Sequence, residues 1–183
     1  LKPPRRTRRR TGMVLRSVGG VQTGEDIEDL RAFLMKLEGP SRIEETVVLA
    51  CDNHGDDRPT WTYIEADATE GVARRRCLQC AKSVSLLDSA ERWTHPMMWC
   101  CGSCNQSIAE VAAGLALPDG NSVEWLVLGA RCVECGRIDG LTDRVLPGTQ
   151  RPGVGARLAL AVPVPPPRTA GTHVPHPAPR PPA

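Results

Sequence analysis

The sequence predicts a small, stapled, β-rich (α+β) fold, and three observations predict it. All eight cysteines of this 183-residue chain fall between Cys51 and Cys135, and seven of them belong to short Cys/His pairs. Aromatic residues make up only 3% of the chain, a thin supply of large side chains for a core. Short strand-like runs such as 46–50, 72–76 and 123–130 lead into those pairs and are punctuated by turn residues, which is the pattern of strands.

The pairs are Cys51-x-x-His54, Cys77-x-x-Cys80, Cys101-x-x-Cys104 and Cys132-x-x-Cys135. Two intervening residues let both donors of a pair reach one ion, while backbone amides after the first cysteine point at the sulfurs. Cys51, His54, Cys77, Cys80, Cys101, Cys104, Cys132 and Cys135 thus make the inventory of two tetrahedral Zn2+ sites, both structural. Ligand bonds supply folding free energy directly, so a metal-stapled fold needs less core. Cys100 is a spare thiol, because only Cys101 stands at the two-residue spacing from Cys104. His54 sits at pair spacing from Cys51, and His95 is its competitor; His173 and His176 lie in a Pro-rich tail. Short loop closure favours sequential pairing, Cys51/His54/Cys77/Cys80 and Cys101/Cys104/Cys132/Cys135. Interleaved pairing of Cys77/Cys80 with Cys101/Cys104 is the alternative.

Taken in order, residues 1–22 form a basic, disordered arm. Its Lys2, Arg5, Arg6, Arg8, Arg9, Arg10 and Arg16 meet no acid. The chain starts at Leu1 with Met13 as its first methionine, so the arm is read as a tail or as translation from an upstream start. Residues 23–39 are an amphipathic helix, capped by Thr23 with Asp26 three residues on and ended by Gly39-Pro40. Ile27, Leu30, Leu34 and Leu37, with Phe33, form its apolar stripe. The first module, 46–88, runs from a strand into Cys51, through strands at 61–64 and 72–76, to Cys77-x-x-Cys80 and a strand at 83–86. Asp88 to Trp93 reads as a short helical linker. In the second module, 95–147, Ser107-x-x-Glu110 is a capping box that opens a helix with Ile108, Val111, Ala112 and Leu115 on one face. A strand at 123–130 then delivers Cys132, and 141–146 closes. The halves read as a degenerate repeat, a hairpin between pairs in one and a helix plus strand in the other. Gly55, Gly136 and Asn105 follow their pairs and suit the positive φ needed there, and Ala81 departs from that pattern. Residues 149–183 form a disordered Pro-rich tail, because 151–183 hold 10 of the 17 prolines and no acid.

The four pairs and their order resemble the zinc-ribbon group of metal-binding domains. The segments 28–34 (EDLRAFL), 37–40 (LEGP), 51–61 (CDNHGDDRPTW), 93–96 (WTHP) and 135–143 (CGRIDGLTD) also look like uncharacterised actinobacterial zinc-ribbon-like proteins. The resemblance covers roughly 24–147 and neither tail. It implies two tandem zinc-ribbon-like modules and a role in transcription, translation or protein assembly, without choosing among them.

Charge narrows the choice. The chain carries +2, but the seven cations of 1–16 and the four of 151–183 leave 17–150 at −9. Zinc bound by three thiolates and a histidine leaves −1, and by four thiolates −2, so metal does not relieve the acidity. An acidic body is a poor duplex-binding surface. The expectation is a non-enzymatic protein-interaction module in the cytoplasm, with no membrane span and no small-molecule substrate. The alternative is a nucleic-acid-binding protein using the basic arms and Arg74–Arg76; on a strand Arg74 and Arg76 share a face. Rubredoxin-like electron transfer through Cys132-x-x-Cys135-Gly136 ranks third. No P-loop, H-E-x-x-H, G-x-S-x-G or deaminase signature is present, so no catalytic residue is assigned. Asp52, Asp56 and Asp57 around His54 read as solvated loop charges rather than a nuclease-like site, which needs a further base.

Overall fold

A computed structural model of the chain describes residues 15–54, 60–86, 89–93, 96–118, 120, 122–150 and 161–162. One helix, α1 (Ile27–Leu34), accompanies strands β1 (Arg16–Val18), β2 (Val21–Thr23), β3 (Glu45–Val48), β4 (Thr62–Asp67), β5 (Val72–Cys77), β6 (Ser83–Leu86), β7 (Met97–Met98), β8 (Ala109–Ala116), β9 (Ser122–Cys132), β10 (Arg137–Gln150) and β11 (Ala161–Val162). The strands join one sheet in the order β1-β2-β10-β9-β8-β4-β5-β6-β11, with β3 on β8 and β7 on β4.

The core lies on both faces of β8 and β9. Side chains alternate along a strand, so Val111, Ala113 and Leu115 enter one cluster with Leu126, Leu128, Ile64 and Leu86. Ala112, Ala116, Trp125 and Val127 enter a second cluster, closed by Ile27, Leu30 and Leu34 of α1. Gly129 permits the close seat of this helix: a Cβ there would stand 2.9 Å from Leu34 Cδ2 and 3.0 Å from Leu30 Cδ1.

Several elements differ from the sequence reading. Residues 107–115 are not a helix. Ala, Glu and Leu favour helix intrinsically, but Ala109–Ala116 is buried on both faces and pairs with β9 over its whole length, and packing overrides propensity. Thr23 does not cap α1, because it ends β2. Asp26 caps instead, its Oδ1 accepting from the Glu28 amide at 3.0 Å and the Asp29 amide at 3.2 Å. The helix stops at Leu34, short of Gly39. The described part of the basic arm is ordered as the β1–β2 hairpin, turned by Gly19 and Gly20 at φ +59° and +81°. Residues 89–93 form turns and a bend rather than a helical linker. Strand β10 runs past 149, and β11 pairs with β6. Residues 1–14 and the rest of the tail lie outside the described residues.

The correction at β8 makes the two halves alike. Each runs lead strand, ligand pair, hairpin, ligand pair, closing strand: β3, β4, β5, β6 in the first and β7, β8, β9, β10 in the second. Thr62 opposes Cys77 as Ala109 opposes Cys132, and Arg76 opposes Ser83 as Arg131 opposes Ile138. The Leu78 amide donates to the Trp61 carbonyl at 3.0 Å, and the Val133 amide to the Ile108 carbonyl at 3.3 Å. The matching residues Thr62 and Ala109 pair with each other, antiparallel, which places a pseudo-twofold axis between β4 and β8. The lead strands cross that axis. Val47 and Val48 of β3 pair with Ala113 and Ala112 of β8, and Met97 and Met98 of β7 pair with Ala66 and Glu65 of β4.

Candidate metal centres

Two clusters of four ligand-type side chains form, Cys51/His54/Cys77/Cys80 and Cys101/Cys104/Cys132/Cys135, with the donor atoms of each all within 4.8 Å of one another. The pairs associate sequentially; interleaved pairing is not what the structure has. The halves match in detail. Cys51 Sγ lies 3.6 Å from Cys80 Sγ, and Cys101 Sγ 3.5 Å from Cys135 Sγ. His54 Nε2 lies 3.3 Å from Cys77 Sγ, and Cys104 Sγ 3.5 Å from Cys132 Sγ.

Local structure sets these positions. Three pairs close with the same backbone hydrogen bond: the Ala81 amide to the Cys77 carbonyl at 3.0 Å, Asn105 to Cys101 at 2.8 Å, and Gly136 to Cys132 at 3.0 Å. The donating residue has φ of +59°, +61° and +74° in turn. Ala81 therefore adopts the left-handed conformation despite its Cβ, which costs roughly 1 kcal/mol against glycine. The fourth pair is different: Asp52–His54 is a 3-10 turn closed by the His54 amide on the Cys51 carbonyl at 3.1 Å. The Thr60 hydroxyl accepts from the Cys51 amide at 2.9 Å.

The donor sets fit a metal ion. Sulfurs 3.5–3.6 Å apart are too distant for disulfides, which need about 2.05 Å, and all the cysteines are free. A tetrahedron with ~2.3 Å ligand bonds has edges of ~3.8 Å, close to these separations. Without a cation, such crowded thiols cannot all ionise. Burial pushes the Cys51 thiol up to about 11 and the Cys135 thiol up to about 12, and neighbouring thiols add to both. Burial likewise raises Cys132. The Lys82 amide pulls Cys80 down to about 6. At Cys101 burial opposes ionisation, but amides of Ser103 and Cys104 prevail and lower the thiol. Backbone amides thus point at the sulfurs in both halves, as the pair spacing predicts.

Cations stand beside each cluster. Arg75 is buried on β5 and donates to the Ala50 carbonyl at 2.5 Å, next to Cys51. Arg137 lies over the second cluster, donating to Ser103 Oγ at 3.2 Å and to Asp139 at 2.9 Å. Asp139 and then the Cys101 and Cys135 sulfurs raise its guanidinium above the ordinary value. Sequence reasoning missed Arg137 and also Asn53, whose Nδ2 lies 3.6 Å from Cys80 Sγ. The available signal was their position inside or just after a ligand pair.

Cys100 is outside both clusters, exposed, its sulfur 3.3 Å from Ser107 Oγ. Lys82 binds Asp52 at 3.6 Å. Gly55, Asp56, Asp57, His95, His173 and His176 lie outside the described residues. The arginine run divides as strand alternation predicts. Arg74 binds Glu65 at 2.5 Å and stacks 4.4 Å from the Trp93 ring, Arg75 is buried, and Arg76 is exposed.

Searches against protein-family models, curated proteins and solved structures find no match for this chain. Among the described residues no helix is long and apolar enough to cross a membrane.

Proposed function

We propose that the chain is a non-enzymatic protein-interaction module whose two centres hold structural zinc ions, in a tandem zinc-ribbon-like arrangement. The observation that carries this reading is the pair of clusters with four protein donors each. Four protein ligands around zinc leave no position open for a substrate or an activated water. Each centre joins the start of a hairpin to its end, so an ion there staples strands that are distant in sequence. Cys51 and Cys77 in one cluster and Cys101 and Cys132 in the other are buried, which sets each ion against the core. The −9 body supports a protein partner over a polyanion. Internal use of Arg74 and Arg75 supports the same choice.

Metal analysis of the purified chain tests the reading, with two zinc ions per chain expected. Excess chelator should abolish the cooperative thermal transition, and zinc should restore it. A metal-free chain that keeps its cooperative transition sinks the proposal.

A further inference from the structure

We infer that the outer face of the first half is a docking site for an extended segment of a partner protein, gripped at Arg76. The inference deepens the interaction-module reading and rests on it. An open groove on this face is lined by Tyr63, Glu65, Arg74, Arg76, Ser83 and Met98. The strand registers give each of these a counterpart in the second half: Glu110, Ala112, Gly129, Arg131, Ile138 and Val48, in the same order.

Those counterparts form the seat of the chain's own segment 24–34. Ala112 and Ile138 pack with α1, with Val48 against them, and Gly129 faces Leu30 and Leu34. Arg131 grips the entering backbone. Its Nε donates to the Gly24 carbonyl at 3.0 Å and its Nη2 to the Glu25 carbonyl, while Glu110 holds the guanidinium at 2.7 Å. The strand that leads into it adds an edge, since Thr23 and Gln22 of β2 pair with Arg137 and Ile138.

In the first half no described residue fills the same seat. Tyr63 replaces Glu110, so Arg76 lacks the carboxylate that holds Arg131. The residue is exposed, and its guanidinium has no ion-pair or hydrogen-bond partner among the described residues. Lys82 and Ser83 match Arg137 and Ile138. Among the described residues they carry no added strand, because β11 pairs only with Ser85 and Leu86. The face is also rich in the residue types that dominate interface centres, Trp, Tyr, Met and Arg. Three of the six aromatic residues, Trp61, Tyr63 and Trp93, are at or beside this groove, and Trp61 and Met98 are 41% and 47% exposed.

Two differences define the occupant. Arg74 stands where Gly129 receives the helix, and it is held there by Glu65 and Trp93. Ala81 stands where Gly136 does. A Cβ at Gly136 would lie 2.4 Å from the Gly24 carbonyl, so a segment like 24–34 cannot seat here in the same way. The geometry suits an extended segment that pairs with the β6 edge at Lys82 and Ser83, covers Tyr63 and Met98, and offers main-chain carbonyls to Arg76.

Random dodecapeptides displayed on phage, selected on the zinc-loaded full chain and counter-selected on an Arg76→Glu variant, test this. The expected result is a set of peptides that the parent binds at least tenfold more tightly than Arg76→Glu or Met98→Ala. Bound peptide should also slow hydrogen exchange at Lys82 to Val84. Melting temperature and zinc content should be unchanged in both variants. Failure to enrich any peptide, or equal binding to parent and both variants, overturns the proposal. So does salt-dependent binding of a 20-nucleotide oligouridylate that Arg76→Glu abolishes while no peptide is selected. Absence of zinc from a folded parent sinks the structural-metal reading instead, and the peptide result is judged separately.

Discussion

The two halves of the molecule share ligand positions, strand register and closing hydrogen bonds, yet only one of them is central to the fold. Strands β8 and β9 are buried on both faces, between α1 and the remaining sheet. Strands β4 and β5 bury one face and turn Tyr63, Arg74 and Arg76 outward. The same ligand geometry is therefore carried by two frameworks of unequal burial. Metal-site construction and core construction are separable: the turns around the cysteines position the donors, and the residues between the turns decide what is covered.

The largest test of this difference is loss of a buried ligand. Cys132→Ser, at the end of the doubly buried β9, should remove the cooperative unfolding transition altogether, a loss above about 5 kcal/mol. Cys77→Ser should release one ion and expose β4 to β6 while β8 to β10 stay protected in hydrogen exchange. Global unfolding in both variants would break the distinction. Next comes the helix seat. Gly129→Val should cost about 1–3 kcal/mol by overpacking Leu30 and Leu34, whereas Arg74→Ala at the matching outward position should change chemical-denaturation stability by less than about 1 kcal/mol.

The left-handed residues sharpen the comparison further. Ala81→Gly should raise the melting temperature, gaining roughly 0.5–1 kcal/mol from relief of its positive φ. Gly136→Ala should lower it by more, because its Cβ meets the Gly24 carbonyl as well.

The smallest effect is at Glu110. Burial raises its carboxyl above the usual range, against the pull of Arg131. A carboxyl that holds its proton more tightly when folded contributes stability below its unfolded value, and that contribution is lost as pH rises through the folded value. Relative to Glu110→Gln, the parent should lose stability from pH ~4 upward through the weakly acidic range, by less than about 1 kcal/mol. A flat difference in denaturant titrations across that range would contradict it.

The clustering of the four Cys/His pairs and most strands were legible because their signals are local. Two-residue spacing fixes a turn that brings two donors together, and the β-branched run at 45–48 and the segment 72–77 between turn residues and a cysteine pair sit where strands are expected. Asn105 and Gly136 carry the positive φ expected of them, and Ala81 carries it against expectation, which turn closure on Cys77 explains. The segment 107–115 misled because Ser107 and Glu110 mimic a helix cap, while the fact that decides its conformation is a partner strand on either side. Glu110 faces Arg131, a residue 21 positions away, and no local rule anticipates that pairing. Thr23 misled similarly, since Asp26 is an equally good cap three residues on. The open face of the first half was only partly legible. Alternation separated Arg75 from Arg74 and Arg76, but not which of those two would find a carboxylate.

The exchange of β3 and β7 across the Thr62–Ala109 pairing has a consequence for growth. Contacts made between like positions are isologous, so each surface is used up by its mate. A head-to-tail array would leave one end unsatisfied and could lengthen by further units. Here each unit's lead strand is already spent on the other, and a third copy would find neither a free lead strand nor a vacant place on β4 or β8. Duplication in this architecture is self-terminating at two, and further copies would have to assemble through other surfaces.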